Sequence, residues 1–179
     1  IHAGTGGVGH AAIQIAKHLG ARVATTVSTH EKAGMAKQLG ADDIIFYHDE
    51  SVEAYKQRLT DGQGFSLVFD TVGRENLDRA IEATAISGRL CSINTRSTHD
   101  LSLMHAKGLT LHVIFRSIPL LHGIGMEDQP RLIAAMCEML EQSAIRPLLD
   151  PKRFSFARVA EAHRHIESGR AVGKILLER

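Results

Sequence analysis

The sequence predicts an α/β domain built on a doubly wound parallel sheet. Short runs rich in β-branched and apolar residues alternate with segments whose apolar residues recur at helical spacing. The runs are apolar on both faces, as strands are when helices cover both sides of a parallel sheet. Glycines such as Gly20 and Gly40 stand where helices should end. Together these features predict a six-stranded parallel sheet with helices on each side.

The elements follow one another in a regular order along the chain. Residues 1–3 are predicted as the end of a first strand, and the next helix carries an apolar stripe at Val8, Ala11, Ala12, Ile15, Ala16 and Leu19. The other strands are predicted at residues 21–27, 44–47, 66–72, 88–94 and 109–115. Further helices are predicted after a cap at Ser28 or Thr29, after Ser51, around Leu77 to Thr84, and at residues 130–143.

The last part of the chain has a different pattern. Two prolines in the stretch RPLLDPKRF are typical of a linker, and one more amphipathic helix and the strand GKILLE follow. Because the six strands are complete before this point, the final strand need not join their sheet. We therefore place a boundary between residues 1–145, the α/β domain, and residues 146–179, a helix–strand tail.

Composition excludes several classes of function. The 179 residues carry a formal net charge of +1, and the lysines and arginines are scattered, so we expect no nucleic-acid partner. No apolar run approaches the ~18 residues that span a bilayer, so we expect no membrane role. Cys91 and Cys137 are far apart and form neither a disulfide framework nor a metal motif. Such cysteine use is typical of the cytoplasm.

The opening stretch GTGGVG predicts a dinucleotide site. Gly4, Gly6 and Gly9 match the pattern G-x-G-x-x-G between a strand and a helix. In this pattern the first glycine permits a tight turn, the second leaves room for a pyrophosphate, and the third lets helix and strand pack closely. The N–H groups at the start of the helix then bind the phosphates. The sequence thus predicts a Rossmann domain.

The end of the second strand favours NADPH over NADH. NAD-binding domains place a carboxylate roughly 20 residues past the glycines, where it binds the ribose 2′-hydroxyl. Here the strand ends in Thr26, Val27 and Ser28, with Lys32 close behind. A 2′-phosphate would therefore meet hydroxyls and a cation, although Glu31 is a neighbour.

The eleven histidines do not predict a metal site. His163 and His165 are two residues apart on a predicted helix and so lie on different faces, and His10 and His18 are eight apart. No cluster of cysteine, histidine and aspartate has the spacing of a tetrahedral site. We expect no metal in this chain.

Several longer stretches carry a family resemblance. Five stretches resemble the quinone-reductase and enoyl-reductase branch of the medium-chain dehydrogenase/reductase superfamily. They are HAGTGGVGHAAIQIAKHLGARV, KQLGADDII, GFSLVFDTVG, GRLCSI and FARVAEAHRHIESGRAVGKILL. The resemblance implies a GroES-like catalytic domain before the Rossmann domain, to which the C-terminal tail returns. Because the chain starts at Ile1 within a strand, we expect it to be a fragment that binds cofactor and turns over poorly.

The resemblance also implies roles for individual residues. It places Thr5 to Val8 on the pyrophosphate, Ser28 and Lys32 at the 2′-phosphate, and Tyr47 beside the adenosine. Residues 70–73, 92–95 and 113–115 would line the path of the ribose and nicotinamide. The predicted cofactor residues are therefore Gly4, Thr5, Gly6, Gly7, Val8, Gly9, Ser28, Lys32, Tyr47, Thr71, Val72, Asn94 and Phe115. No residue is identified as the proton donor.

The functional expectation is an NADPH-dependent reductase of quinones or enones that works by hydride transfer. A zinc-dependent alcohol dehydrogenase is the enzyme alternative, because its metal ligands would lie outside this chain. A non-catalytic nucleotide-binding module is the alternative from another class, since fold does not fix function. Many relatives dimerise through the edge that corresponds to LTLHVIF, so the resemblance also implies a homodimer.

Overall fold

The structure is a computed structural model that describes all of residues 1–179. Its helices are α1 (Gly9–His18), α2 (His30–Gln38), α3 (Val52–Thr60), α4 (Glu75–Ala83), α5 (Ser102–Lys107), α6 (Ile118–His122), α7 (Asp128–Glu141) and α8 (Val159–Glu167). Its strands are β1 (Ala24–Val27), β2 (Asp43–Phe46), β3 (Phe65–Asp70), β4 (Thr84–Ser92), β5 (Thr110–Val113), β6 (Leu149–Ser155) and β7 (Lys174–Glu178). None of these helices is long and apolar enough to cross a bilayer.

The chain falls into two compact units. The central unit contains Ile1–His2 and Tyr47–Ala144, and the terminal unit contains Ala3–Phe46 and Ile145–Arg179. Each unit contains parallel strands and helices, as the α/β prediction requires. The predicted boundary between residues 145 and 146 stays a prediction.

The central unit is built on the parallel sheet β3-β4-β5. Asp70 at the end of β3 pairs with Ser92 at the end of β4, and Ser92 pairs with Val113 at the end of β5. The carboxyl ends of the three strands therefore lie side by side. Helix α4 packs against β3 and β4, and its residues Ala80 and Ile81 are buried. This register brings the loops after the three strands together.

The terminal unit contains two parallel strand pairs, β1 with β2 and β6 with β7. Residues 1–3, predicted as a first strand, form none, and Ala3 has a left-handed backbone with φ of 50°. The predicted face of α1 is also wrong. The helix buries Gly9, His10 and Ile13, whereas Leu19 is 76% exposed. The reason is that Gly9, lacking a side chain, brings this face of the helix against Ala3.

The stretch predicted as a proline-rich linker contains most of strand β6. Pro151 is tolerated because β6 pairs with β7 alone and its other edge needs no backbone donor. Asp150 is buried and accepts hydrogen bonds from the N–H groups of Lys152 and Val172 and from the His165 ring. Burial would raise the pKa of Asp150, but these hydrogen bonds hold it below its usual range. The strand is thus fixed by a polar contact that hydrophobic periodicity cannot detect.

Candidate functional site

The loop that carries the glycine motif is anchored to Thr26 at the end of β1. The Ala3 N–H donates to Thr26 Oγ1 at 2.9 Å, and the Gly4 N–H donates to the Thr26 carbonyl oxygen at 3.1 Å. Thr26 is buried, so both contacts are shielded from water. The polar residues at the end of this strand therefore hold the start of the loop in place.

Close packing requires glycine at two of the three motif positions. A Cβ on Gly4 would lie 2.2 Å from Thr25 Oγ1, and a Cβ on Gly9 would lie 2.1 Å from the carbonyl oxygen of Ala3. Gly4 lies in the turn that the hydrogen bond from the Gly6 N–H to the Ala3 carbonyl oxygen closes, and the left-handed residue of this turn is Ala3. Gly4 is needed because the Thr25 side chain occupies the space of its Cβ. A Cβ on Gly6 would be less crowded, at 3.1 Å from the Ala3 carbonyl oxygen.

The first turn of α1 has no side-chain cap. Val8 stands at the cap position, and its side chain cannot accept a hydrogen bond. The backbone N–H groups of Gly7 and Val8 donate to no atom of the chain. Since the start of a helix also carries a partial positive charge, this turn offers donors to an anion. The donor set fits a pyrophosphate.

The C-terminal segment lies against the same loop. The Gly173 N–H donates to the Thr5 carbonyl oxygen at 2.7 Å, and a Cβ on Gly7 would lie 3.2 Å from Lys174 Nζ. Sequence reasoning did not assign Lys174 a role. The pair G-K before the last strand was the available signal, but its place beside the glycine loop depends on the tertiary fold. The terminal unit thus places a cation next to the uncapped helix.

Ser28 and Lys32 lie at the start of α2. Thr29, not Ser28, caps this helix, because Thr29 Oγ1 accepts a hydrogen bond from the Lys32 N–H. The Lys32 side chain reaches the loop after α8, where Nζ donates to the Gly169 carbonyl oxygen at 2.9 Å. This hydrogen bond is exposed, so Lys32 can exchange it for a phosphate at little cost.

Asp70 is the centre of the polar network in the central unit. It is fully buried, and it accepts hydrogen bonds from the N–H groups of Val72 and Gly73, from Asn76 Nδ2 and from Ser92 Oγ. The distances lie between 2.8 and 3.1 Å. One carboxylate therefore fixes the loop after β3 and ties it to the end of β4.

His2 extends this network. Its Nδ1 lies 2.8 Å from Asn76 Nδ2 and 3.6 Å from Asp70 Oδ1. Burial lowers the pKa of His2. Burial would also raise the pKa of Asp70, but the neighbouring His2 ring and the hydrogen bonds from Gly73 and Asn76 hold that pKa well below its usual range. Asp70 is therefore a carboxylate at neutral pH and acts only as an acceptor.

The structure brings three of the predicted cofactor residues together after β3 and β4. Thr71 Oγ1 donates to the His2 carbonyl oxygen at 2.8 Å, and Asn94 Nδ2 donates to the Val72 carbonyl oxygen at 2.9 Å. Phe115 follows β5, where the Arg96 guanidinium lies 5.6 Å from the centre of its ring. This placement agrees with the rule that parallel sheets bind ligands outside the carboxyl ends of their strands.

Tyr47, the remaining predicted residue, belongs to the central unit and is partly exposed. Its ring centre lies 4.2 Å from that of His48. No group of three or more histidine, cysteine, aspartate and glutamate side chains in residues 1–179 is arranged to hold a metal ion.

Comparisons with known proteins agree with this geometry. A family described as zinc-binding dehydrogenase matches residues 7–136. The quinone oxidoreductase of Pseudomonas aeruginosa is 34% identical over 98% of this chain and 54% of its own length. A reducing polyketide synthase of Gibberella fujikuroi is 32% identical over 99% of the chain and 8% of its own length.

A mycobacterial protein solved as a complex with NADPH has the same fold. It superposes with a TM-score of 0.88 at 30% identity, over 99% of this chain and 56% of its own. This likeness confirms the predicted doubly wound α/β class. The chain spans about half the length of this structure and of the quinone oxidoreductase.

The name of the matching family implies zinc, and the residues present do not fit that metal because they form no ligand cluster. The family match covers well over half of the chain, and the relatives carry the names that the sequence resemblance implied. The chain belongs to the zinc-binding dehydrogenase family, within the medium-chain dehydrogenase/reductase superfamily.

Proposed function

We propose that this chain is the nucleotide-binding part of an NADPH-dependent oxidoreductase that transfers hydride to a quinone or to an activated double bond. One observation carries the proposal: the uncapped start of α1 lies in a glycine-packed loop beside Lys174. The names of a quinone oxidoreductase and a reducing polyketide synthase support the reaction class. The NADPH complex of the mycobacterial protein supports the cofactor.

In this proposal the terminal unit binds the phosphates of NADPH. The segment Thr5 to Val8 meets the pyrophosphate through the N–H groups of Gly7 and Val8, together with the Lys174 ammonium group. Ser28 and Lys32 meet the 2′-phosphate, and Lys32 leaves the Gly169 carbonyl oxygen to do so. When bound, NADPH supplies the hydride, and the protein orients the nicotinamide and excludes water.

Contacts with the adenosine and nicotinamide ends of the cofactor stay predictions for five residues of the central unit: Tyr47, Thr71, Val72, Asn94 and Phe115. Asp70 supports this part of the proposal because it fixes the backbone of the loop that carries Thr71 and Val72. We assign Asp70 a positioning role.

Calorimetric titration tests the cofactor assignment. Lys32→Ala should weaken binding of NADPH and of adenosine 2′,5′-bisphosphate by about 10- to 100-fold and leave NADH unchanged, because a charge-assisted hydrogen bond is worth roughly 1.5–3 kcal/mol. Lys174→Ala should weaken NADPH and NADH equally, since both share the pyrophosphate. Lys37→Ala is the matched control, because this lysine lies in the last turn of α2.

Equal affinity of the wild type for NADPH and NADH would contradict the 2′-phosphate assignment. The reaction itself is followed through the absorbance of NADPH in the presence of a quinone or an enone. Tight NADPH binding by the whole protein without reduction of either substrate would favour a non-catalytic nucleotide-binding module.

The homodimer also stays a prediction. Strand β5 is one edge of the central-unit sheet, and Val113 at its end and Phe115 after it are exposed. An apolar edge of this kind pairs readily with another strand. Sedimentation velocity should therefore give twice the mass of one chain, and a single monomeric species over micromolar concentrations would contradict the prediction.

A further inference from the structure

Three side chains of the central unit form a hydrogen-bonded series that the proposed nucleotide site does not use. Ser97 Oγ lies 2.6 Å from His99 Nε2, and His99 Nδ1 lies 2.7 Å from Asp78 Oδ1. The two contacts use opposite nitrogens of one imidazole ring. Asp78 comes from α4, whereas Ser97 and His99 come from the loop between β4 and α5.

The direction of each hydrogen bond follows from the chemistry of the groups. The carboxylate of Asp78 can only accept, so His99 Nδ1 carries the proton of this contact. In the neutral imidazole Nε2 is then the acceptor, and the Ser97 hydroxyl donates to it. This is the tautomer in which a histidine can remove the proton of a serine.

Burial and exposure also suit a reactive serine. The His99 side chain is 7% exposed, so its ring is held in one orientation. Ser97 is exposed and can be reached by a molecule from solvent. The Ser97 N–H donates to the Thr95 carbonyl oxygen at 2.9 Å, and this tight turn presents Ser97 toward His99. Asp78 is 57% exposed, so it orients the ring less firmly than a buried carboxylate would.

We propose that Ser97, His99 and Asp78 form a second reactive site, which hydrolyses activated esters through an acyl-serine intermediate. Ser97 Oγ bonds to the ester carbonyl carbon while its proton passes to His99 Nε2. The bond from that carbon to the leaving oxygen then breaks, and the leaving group takes the proton from His99. Water then bonds to the acyl carbon while its proton passes to His99 Nε2. The bond from that carbon to Ser97 Oγ breaks, and Ser97 takes the proton back, so the acid leaves and Ser97 is restored.

The backbone around Ser97 sets the class of substrate. Its own N–H is bound to Thr95 and so does not stabilise an oxyanion. Arg96, directly before the serine, is the nearest cation along the chain, and its guanidinium lies over the Phe115 ring. Because the site offers so little stabilisation to an oxyanion, it suits esters with good leaving groups, such as aryl esters of small acids.

The test combines a fluorophosphonate probe with release of p-nitrophenol from p-nitrophenyl acetate. The 179-residue chain should take up one probe molecule, which peptide mapping locates on Ser97, and it should release p-nitrophenol. Ser97→Ala should abolish both signals. His99→Ala should slow labelling about 100-fold, because general-base catalysis typically contributes 10²–10⁴. Asp78→Asn should slow it about tenfold, since the exposed carboxylate contributes less.

Ser102→Ala is the matched control. This exposed serine begins α5, directly after the loop, and its hydroxyl donates to Asp100 rather than to a histidine, so its loss should leave labelling unchanged. Three outcomes would overturn the proposal. They are labelling at another residue, ester hydrolysis that persists in Ser97→Ala, and wild-type labelling rates in both His99→Ala and Asp78→Asn. Thermal unfolding and NADPH titration of each variant separate loss of reactivity from loss of fold or of the cofactor site.

Discussion

Gly9→Ala should abolish NADPH binding and lower the free energy of unfolding by about 3 kcal/mol, the upper range for overpacking of a tight site. The added Cβ would lie 2.1 Å from the Ala3 carbonyl oxygen and 3.0 Å from the Gly4 Cα. Both neighbours are backbone atoms and cannot rotate away, so α1 must move from the glycine loop. Urea unfolding measures the stability loss, and calorimetry measures the cofactor affinity.

Gly34→Ala is the control for this substitution. Gly34 lies inside α2, and a Cβ there would meet no atom within 4 Å. Alanine should therefore raise the free energy of unfolding by about 0.5–1 kcal/mol through its better helix propensity. If Gly9→Ala unfolded at the wild-type urea concentration and still bound NADPH, the close approach of α1 to the loop would not be a requirement of the fold.

Asp70→Ala is expected to lower the free energy of unfolding by about 3–4 kcal/mol. The loss leaves the N–H groups of Val72 and Gly73 and the side chains of Asn76 and Ser92 without their acceptor. Each buried polar group left unpaired costs roughly 1–3 kcal/mol, and partial relaxation of the loop reduces the sum. Chemical unfolding at pH 7 measures this loss.

The free energy of unfolding of Asp70→Asn should depend on pH differently from that of the wild type. The native pKa of Asp70 is below its usual range, so its stabilisation is complete above the unfolded pKa of about 3.9. That stabilisation is lost as the pH falls from about 4 toward the lower native pKa. The wild type should therefore lose stability in this range more steeply than Asp70→Asn. Unfolding measured between pH 3 and pH 7 compares the two slopes.

Asp49→Asn is the matched control, because this carboxylate is exposed in a turn. Its effect should stay within about 0.5 kcal/mol at every pH. Parallel pH profiles for the wild type and Asp70→Asn would contradict the assignment of the acid-sensitive stabilisation to Asp70.

The parallel α/β class could be predicted because it depends on local signals. The strands β1 to β5 lie within or close to the predicted runs, where β-branched and apolar residues dominate. The strand predicted at residues 1–3 does not form, because Ala3 adopts a left-handed backbone, which no propensity of alanine indicates. Strand β6 was missed because Pro147 before it and Pro151 within it suggest a linker, whereas the buried Asp150 holds it in place.

The polar contacts of the proposed nucleotide site and of the Ser97 site were harder to predict from the sequence. The motif predicted the glycine loop. Lys174, which lies beside Gly7 of this loop, comes 167 residues after Gly7 in the sequence. Likewise, Ser97 and His99 are near neighbours in sequence, but Asp78 comes from a helix that precedes β4. Such side chains meet only through tertiary structure, and spacing along the chain carries no signal for them.

The contact between Gly173 and Thr5 sets an order of events during synthesis of the protein. Thr5 is translated 168 residues before Gly173, so the glycine loop is made well before the segment that contacts it. At about 5–20 residues per second, the interval between them is roughly 10–30 seconds. During this time the loop lacks both the Gly173 hydrogen bond and the Lys174 cation. A nucleotide can therefore meet the complete donor set only after the C-terminal segment has been made.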